Sequence, residues 1–354
     1  MKKAYIVMEN GRVFEGWRAG AEGNTMGEMV FSTGMGGYIE TLTDPACFGQ
    51  IVVGTFPMMG NYGMIRADWE SSGAFLRGFV VREICENPSN FRCEGTLDDQ
   101  LKAWGIPCVC GVDTREITRI LREAGSMKAA ITDDPANVDM DALRAYHADD
   151  AVKSVSRNDI GHFKGEKSRY TVAVYDFGVR ASVIRALTDR GCAVTVYPAE
   201  TLAEEVLAGK LDGIVLAGGP GNPAENAQII ENVKAVLGRV PVMAIGLGNQ
   251  ILALAAGAKT EKMKFGHRGA NQPVKRLSDG RTFITAQNRG YAIVKDSLPE
   301  GAVLSMENAN DHACEGVEYP ALRAFGVDFY PATGSSANST AYLYNNFINA
   351  MGGI

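Results

Sequence analysis

Pro241-Val242-Met243-Ala244-Ile245-Gly246-Leu247-Gly248-Asn249-Gln250 is the stretch that decides how this chain is read. An apolar run gives way to a turn of small residues and then to a helical stretch, Ile251 to Ala256. A strand that stops at such a turn and resumes as a helix has the geometry of a nucleophile elbow, which lifts one side chain above a parallel sheet. The residue at the tip is Gly246, which has no side chain to lift. The scaffold of a reactive site is present without the reactive group.

The elements around this stretch repeat its grammar. Upstream, Tyr170–Tyr175 reads as a strand, Val179–Arg190 as a helix, Ala193–Tyr197 as a strand and Leu202–Ala208 as a helix. Gly213–Leu216 is the next strand, Ala227–Leu237 a helix, Val240–Ile245 the strand of the elbow and Gln250–Ala256 its helix. Continuous apolar strands alternating with amphipathic helices imply a parallel sheet covered on both faces. Ala151 to Arg169 is polar, contains Gly161 and Gly165, and lacks periodicity, which makes 151–169 the expected linker. A second domain is therefore expected over 170–354.

Residues 1–150 follow a different pattern, rich in glycine and in short β-type runs at Ala4–Met8, Glu28–Ser32, Gln50–Phe56 and Gly78–Val81. Helices are expected at Leu97–Trp104, Thr114–Ala124 and Met140–Tyr146, the second of them capped by Asp113 ahead of Glu116. The start, from Met1 through Val7, is interrupted by Glu9, Asn10 and Arg12, so it reads as a first strand and not as a leader. With 354 residues, 46% of them hydrophobic, the chain can bury two full cores. A net charge of −6 argues against a nucleic-acid partner. No apolar run reaches the roughly 18–20 residues of a membrane span. Seven cysteines at irregular spacing suit a reducing, cytoplasmic setting, and Cys108-Val109-Cys110 reads as ordinary strand. No metal-ligand spacing and no phosphate-binding P-loop is found, so no cofactor is expected in this chain.

Three loops should meet at the carboxyl ends of the parallel strands, where open α/β sheets bind their ligands. They are Gly218-Gly219-Pro220-Gly221-Asn222-Pro223, the elbow at Gly246, and the end of Phe325-Gly326-Val327-Asp328-Phe329-Tyr330-Pro331. Glycines in the first loop let backbone N–H groups approach a ligand closely. Other stretches stand out along the chain. They are Gly36-Gly37-Tyr38-Ile39-Glu40-Thr41-Leu42-Thr43-Asp44-Pro45, Gly60-Asn61-Tyr62-Gly63, Gly111-Val112-Asp113-Thr114-Arg115-Glu116 and Tyr175-Asp176-Phe177-Gly178. Later come Lys262-Met263-Lys264-Phe265-Gly266-His267 and Gln287-Asn288-Arg289-Gly290-Tyr291-Ala292. Together these resemble the small subunit of carbamoyl-phosphate synthetase, whose second half is a class I glutamine amidotransferase.

The resemblance implies an α/β protein with a mixed α/β small-subunit domain first, then an amidotransferase domain with a flavodoxin-like, mostly parallel sheet. It also implies a Cys–His–Glu triad, in which a thiolate attacks the glutamine amide, the histidine moves protons and the glutamate orients it. The family's elbow G-I-C-L-G-H-Q reads Ala244-Ile245-Gly246-Leu247-Gly248-Asn249-Gln250 here. Gly246 thus stands at the nucleophile position and Asn249 replaces the motif histidine. The family's G-H-P-E becomes Phe329-Tyr330-Pro331-Ala332, which puts Tyr330 at the catalytic histidine and Ala332 at its carboxylate partner. In the first domain, the serine of S-M-T-G-Y corresponds to Gly34. By family position, Gly219, Gly221, Leu247, Gln250, Asn288, Gly290 and Tyr291 match residues that contact glutamine. The glycines and Leu247 equally shape the turns that keep the sheet folded.

The candidates for a substitute nucleophile are Cys314, beside His312, and Ser335, Ser336 and Ser339, which stand where serine is expected as a helix cap. His267 in Gly266-His267-Arg268-Gly269 reads as a hydrogen-bonded structural residue. The expectation is a small-subunit homologue of the pyrimidine or arginine pathway that has lost glutamine hydrolysis. It would serve a large subunit that carries ATP and Mg and makes carbamoyl phosphate from free ammonia. Two alternatives stay open at this point. One is a sensor that binds glutamine or a related small carboxylate without catalysis, and the other is an active amidotransferase subunit as the family implies.

Overall fold

Short apolar runs, buried along most of their length, fold into strands that close on themselves in the first of two units of the chain. The computed structural model describes residues 2–165, 167–332 and 339–352. Unit one takes residues 1–151 together with 264–270, and unit two takes 152–263 and 271–354. The strands of unit one are β1 (Lys3–Met8), β2 (Val13–Gly20), β3 (Thr25–Ser32), β4 (Gln50–Gly54), β5 (Met58–Met59), β6 (Gly78–Val80), β7 (Glu83–Ile84), β8 (Pro107–Cys110) and β9 (Met127–Thr132). Seven of them form a closed barrel in the order β1-β2-β8-β6-β4-β3-β9, while β5 pairs with β7. The barrel is filled by side chains such as Ile6, Met8, Met29, Ile51 and Ile131, all fully buried. Closure removes exposed strand edges.

Four helices accompany the barrel: α1 (Tyr38–Leu42), α2 (Leu97–Ala103), α3 (Thr114–Ala124) and α4 (Met140–Ala145). The capping expected for α3 is present, since the Asp113 side chain accepts from the Glu116 N–H and Ile117 and Leu121 are buried. The strand expected to reach Phe56 stops at Gly54. Phe56 precedes Pro57, which has no N–H to continue a ladder.

Residues 151–169, expected as a linker, carry α5 (Ala151–Val155) and β10 (Gly161–Lys164). Unit two continues with β11 (Tyr170–Asp176), α6 (Ala181–Thr188), β12 (Cys192–Pro198), α7 (Ala203–Leu207), β13 (Gly213–Leu216), α8 (Ala227–Val236), β14 (Val242–Ile245) and α9 (Leu247–Ala255). Then come β15 (Thr260–Arg276), β16 (Thr282–Ile293), β17 (Val303–Asn308), β18 (Cys314–Tyr319), β19 (Ala324–Val327) and α10 (Tyr342–Gly352). The ten strands of the sheet run β10-β12-β11-β13-β14-β19-β18-β17-β15-β16. Its core is parallel, with β12-β11-β13-β14-β19 in flavodoxin-like order. Antiparallel strands extend both sides, β10 at one edge and β18, β17, β15 at the other.

The parallel strands are buried on both faces, as their unbroken apolar character requires. Ala173, Tyr175, Ile214 and Leu216 pack with Val206 of α7, Val233 of α8 and Ile251 of α9. Their sequence neighbours Val172, Val174 and Val215 point the other way, against Leu187 of α6 and Phe347 of α10. β15 and β16 were not anticipated. Gly266, Gly269 and Pro273 lie inside β15, and such residues mask a strand in the sequence.

Candidate functional site

The chain crosses from β11 outward to β12 and then back to β13, so a crevice opens beyond the carboxyl ends of the central strands. Into it run the end of β11, the glycine loop after β13, the elbow after β14 and the turn after β19. Gly246 adopts φ 54° and ψ −120°, a conformation that side chains resist. Its N–H donates to Val327 O (2.8 Å), and its own carbonyl accepts from Asn249 N (2.9 Å) and Gln250 N (3.2 Å). Those two bonds start α9 immediately after the tip, which is why the helix begins at Leu247 and not at Gln250. A Cβ added at Gly246 would meet only Gly218 Cα, at 3.6 Å, an ordinary contact. Room for a side chain therefore remains at the elbow.

Tyr330 is fixed beside this space. Its N–H donates to Ala286 O at 2.9 Å. Its Cε1 lies 3.3 Å from where a Gly218 Cβ would stand, and the Arg180 guanidinium stacks 4.1 Å from its ring centroid. A phenol lacks the imidazole's ability to take up and return a proton near neutral pH. Ala332 is exposed, donates its N–H to Thr340 Oγ1 (2.8 Å), and carries no carboxylate. Gly34, the position of the family serine, lies in unit one between β3 and α1.

The residues matched to glutamine contacts divide into two groups. Gly219 and Leu247 sit against one another, since a Gly219 Cβ would lie 3.1 Å from Leu247 Cδ2. That same Cβ would collide with the backbone carbonyl oxygen of Phe177 at 2.0 Å, and a Cβ on Gly248 with Leu216 O at 2.4 Å. Both glycines are demanded by packing whatever binds above them. Gly219→Ala is accordingly expected to lower stability by about 1–3 kcal/mol, read as a shift in the urea midpoint with unchanged slope. Gly221 needs its positive φ of 88° for the loop to turn. Gln250 is buried and donates through Nε2 to Tyr291 O (2.9 Å), so its amide is committed to β16. Asn288 and Gly290 lie on β16 on the opposite face from Arg289.

Beneath the elbow lies a buried polar network; of its members the sequence assigns a position in the site only to Asn249, while Gln287, Arg289 and Asp328 stand in the quoted stretches without a role. Asn249 Nδ2 donates to Asp328 Oδ1 (3.0 Å), and Arg289 Nη1 donates to Asp328 Oδ2 (2.7 Å). Arg289 Nη2 reaches Glu315 Oε1 (3.0 Å), while Gln287 Nε2 and Asn308 Nδ2 donate to the two Glu315 oxygens at 2.9 and 3.0 Å. The Asp328 and Glu315 side chains are 0% exposed and that of Arg289 is 4%. Burial opposes the Arg289 charge, but the two carboxylates outweigh it and hold the guanidinium above its ordinary pKa. A period-two signal was available: Thr285, Gln287 and Arg289 continue the buried face that Phe283 begins on β16, three polar residues on an inner face.

The substitute nucleophiles do not assemble. Cys314 is 1% exposed, and burial pushes its thiol up to about 12. Its neighbour His312 has a 67% exposed side chain, directed to Glu307 at 3.4 Å. Native Cys314 is expected to resist iodoacetamide at neutral pH and to label once the chain is unfolded, as mass-spectrometric mapping of the peptide that carries it would show. Ser339 Oγ accepts from Ala341 N–H (3.3 Å) ahead of α10, a capping arrangement, and Ser335 and Ser336 lie outside the described residues. His267 is buried. Among the described residues no group of three His, Cys, Asp or Glu could hold a metal, and no helix is long and apolar enough to cross a membrane.

Comparison with known proteins agrees with this two-part organisation. The family model described as carbamoyl-phosphate synthase small chain, CPSase domain, matches residues 6–131, and that of glutamine amidotransferase class-I matches residues 173–350. The carbamoyl phosphate synthase small chain of Oceanobacillus iheyensis is 43% identical over 355 residues, covering 99% of this chain and 96% of that protein. Its counterpart in Listeria monocytogenes serotype 4b is 42% identical, covering 100% of this chain and 98% of the relative. The pyrimidine-specific small chain of Bacillus subtilis is also 42% identical, over 99% of this chain and 96% of its own.

Proposed function

Since this chain belongs to the family of carbamoyl phosphate synthase small chains, we propose that it acts as a small subunit without glutaminase activity. It would bind a large subunit that supplies the ATP and Mg sites, and would support carbamoyl-phosphate synthesis from free ammonia. The observation that carries this reading is Gly246, which holds the elbow conformation with no nucleophilic atom. Tyr330 and Ala332 extend the loss to the base and its orienting carboxylate. The family-like unit one supports retention of the subunit role. The likeness to a pyrimidine-specific chain favours the pyrimidine pathway over the arginine pathway.

The test is ATP-dependent carbamoyl-phosphate formation by the cognate large subunit, with and without this chain, supplied separately with glutamine and with ammonium. The expected result is product from ammonium alone, at a higher rate or with a longer-lived large subunit when this chain is present. Product from glutamine that depends on this chain would overturn the reading. So would failure of the two chains to associate at micromolar concentration.

A further inference from the structure

A groove of about 870 Å³ lies in unit two between α10 and the strands β17, β18 and β19. Gly218, Gly246 and Tyr330 do not line it, and nothing in the glutamine chemistry accounts for it. We propose that this groove binds a small organic anion, an oxyanion headgroup carried on an apolar body.

The headgroup position is built from two arginines. Arg276 is clamped by Asp279, with Nε to Oδ1 at 2.9 Å and Nη2 to Oδ2 at 2.5 Å. Its guanidinium also lies 4.9 Å from the ring centroid of Tyr342 and 5.4 Å from that of Phe283. The carboxylate clamp and the two neighbouring rings hold the Arg276 fork in one place on the groove wall. Fixing it beforehand removes much of the ordering cost of binding. Arg323, also lining the groove, makes no ion pair with a described residue. It holds φ 51°, one of three non-glycine residues with positive φ among those described. Glycine or asparagine would sit there with less strain, and strain of this kind collects at ligand sites. Tyr342 lines the same groove beside Arg276.

Charge favours an anion modestly. Arg276, Arg323 and the adjacent Arg281 face the carboxylates of Asp279 and Glu318. The rest of the wall is mainly apolar, with Leu277 39% and Val303 50% exposed alongside Phe325, and it also carries Ser278, Ser305 and Asn346. The volume lies within the roughly 300–1,000 Å³ typical of small-molecule sites. An inorganic anion would leave the apolar wall wet, and a neutral apolar molecule would leave the arginines unused.

The experiment is calorimetric titration of the full chain with phenyl phosphate, benzoate, inorganic phosphate and benzyl alcohol. Phenyl phosphate or benzoate is expected to bind saturably at one site, and the stronger of the two identifies the headgroup as phosphate ester or carboxylate. Inorganic phosphate and benzyl alcohol are each expected to bind at least about tenfold more weakly. Arg323→Gly should weaken the aromatic anion by about tenfold while leaving the melting temperature equal or higher, because the strained φ is relieved. Tyr330→Ala should leave binding unchanged. No saturable binding in the low-millimolar range, or equal binding to the Arg323→Gly chain, would overturn the proposal.

Discussion

The triple variant Gly246→Cys, Tyr330→His, Ala332→Glu is expected to release ammonia from glutamine at least about 10²-fold faster than the native chain. The elbow backbone is already in place, and a Cβ at residue 246 meets nothing closer than Gly218 Cα at 3.6 Å. The cost is strain at φ 54°, on the order of 1–3 kcal/mol, which the two hydrogen bonds to the Gly246 carbonyl help to hold. Gly246→Cys alone should gain little, because triad members act as a unit and a thiol without its base stays protonated. Coupled measurement of ammonia and glutamate in the isolated chain distinguishes the variants. A native chain that already matches the triple variant would show that the nucleophile lies elsewhere. An inert triple variant that folds normally would show that more than these three positions has changed.

Arg289→Leu is expected to cost about 3–5 kcal/mol of stability, because it strands two buried carboxylates without their shared cation. Asp328 and Glu315 have no exposed side-chain surface from which water could replace the guanidinium. The loss should appear as a lower urea midpoint, or as a chain that fails to accumulate folded. Adding Asp328→Asn should recover part of it, since one uncompensated charge is removed and Asn249 keeps a partner. Arg289→Lys should fall between the two, keeping the charge but losing the planar fork that reaches Asp328 and Glu315 together. An Arg289→Leu chain as stable as the native one would mean that the network is not held in the ionised form.

The parallel half of unit two was legible because its strands are apolar on both faces and its helices amphipathic. Gly213–Leu216 was read at its observed limits, and the strand before Gly246 was located to within two residues. The start of α9 was misplaced by three residues because propensity scarcely favours Leu247-Gly248-Asn249. The bonds to the Gly246 carbonyl impose it instead. β15 and β16 escaped notice because charged and polar residues occupy both faces and glycines interrupt the alternation. Of the site, the glycine loop and the elbow were visible as local patterns. The Asn249–Asp328–Arg289–Glu315 network was not, since its members come from four separate elements and meet only after folding.

Residues 264–270 belong with unit one, although more than a hundred residues of unit two precede them in the chain. Lys264 O accepts from the Ser126 N–H at 2.9 Å, and the Phe265 ring lies 5.7 Å from Phe31. No single peptide bond divides the two units, so a fragment ending at residue 151 lacks part of its own packing. During vectorial synthesis the barrel emerges first but waits several seconds for its last piece. Completion of the first unit is thereby tied to the ribosome having passed most of the second.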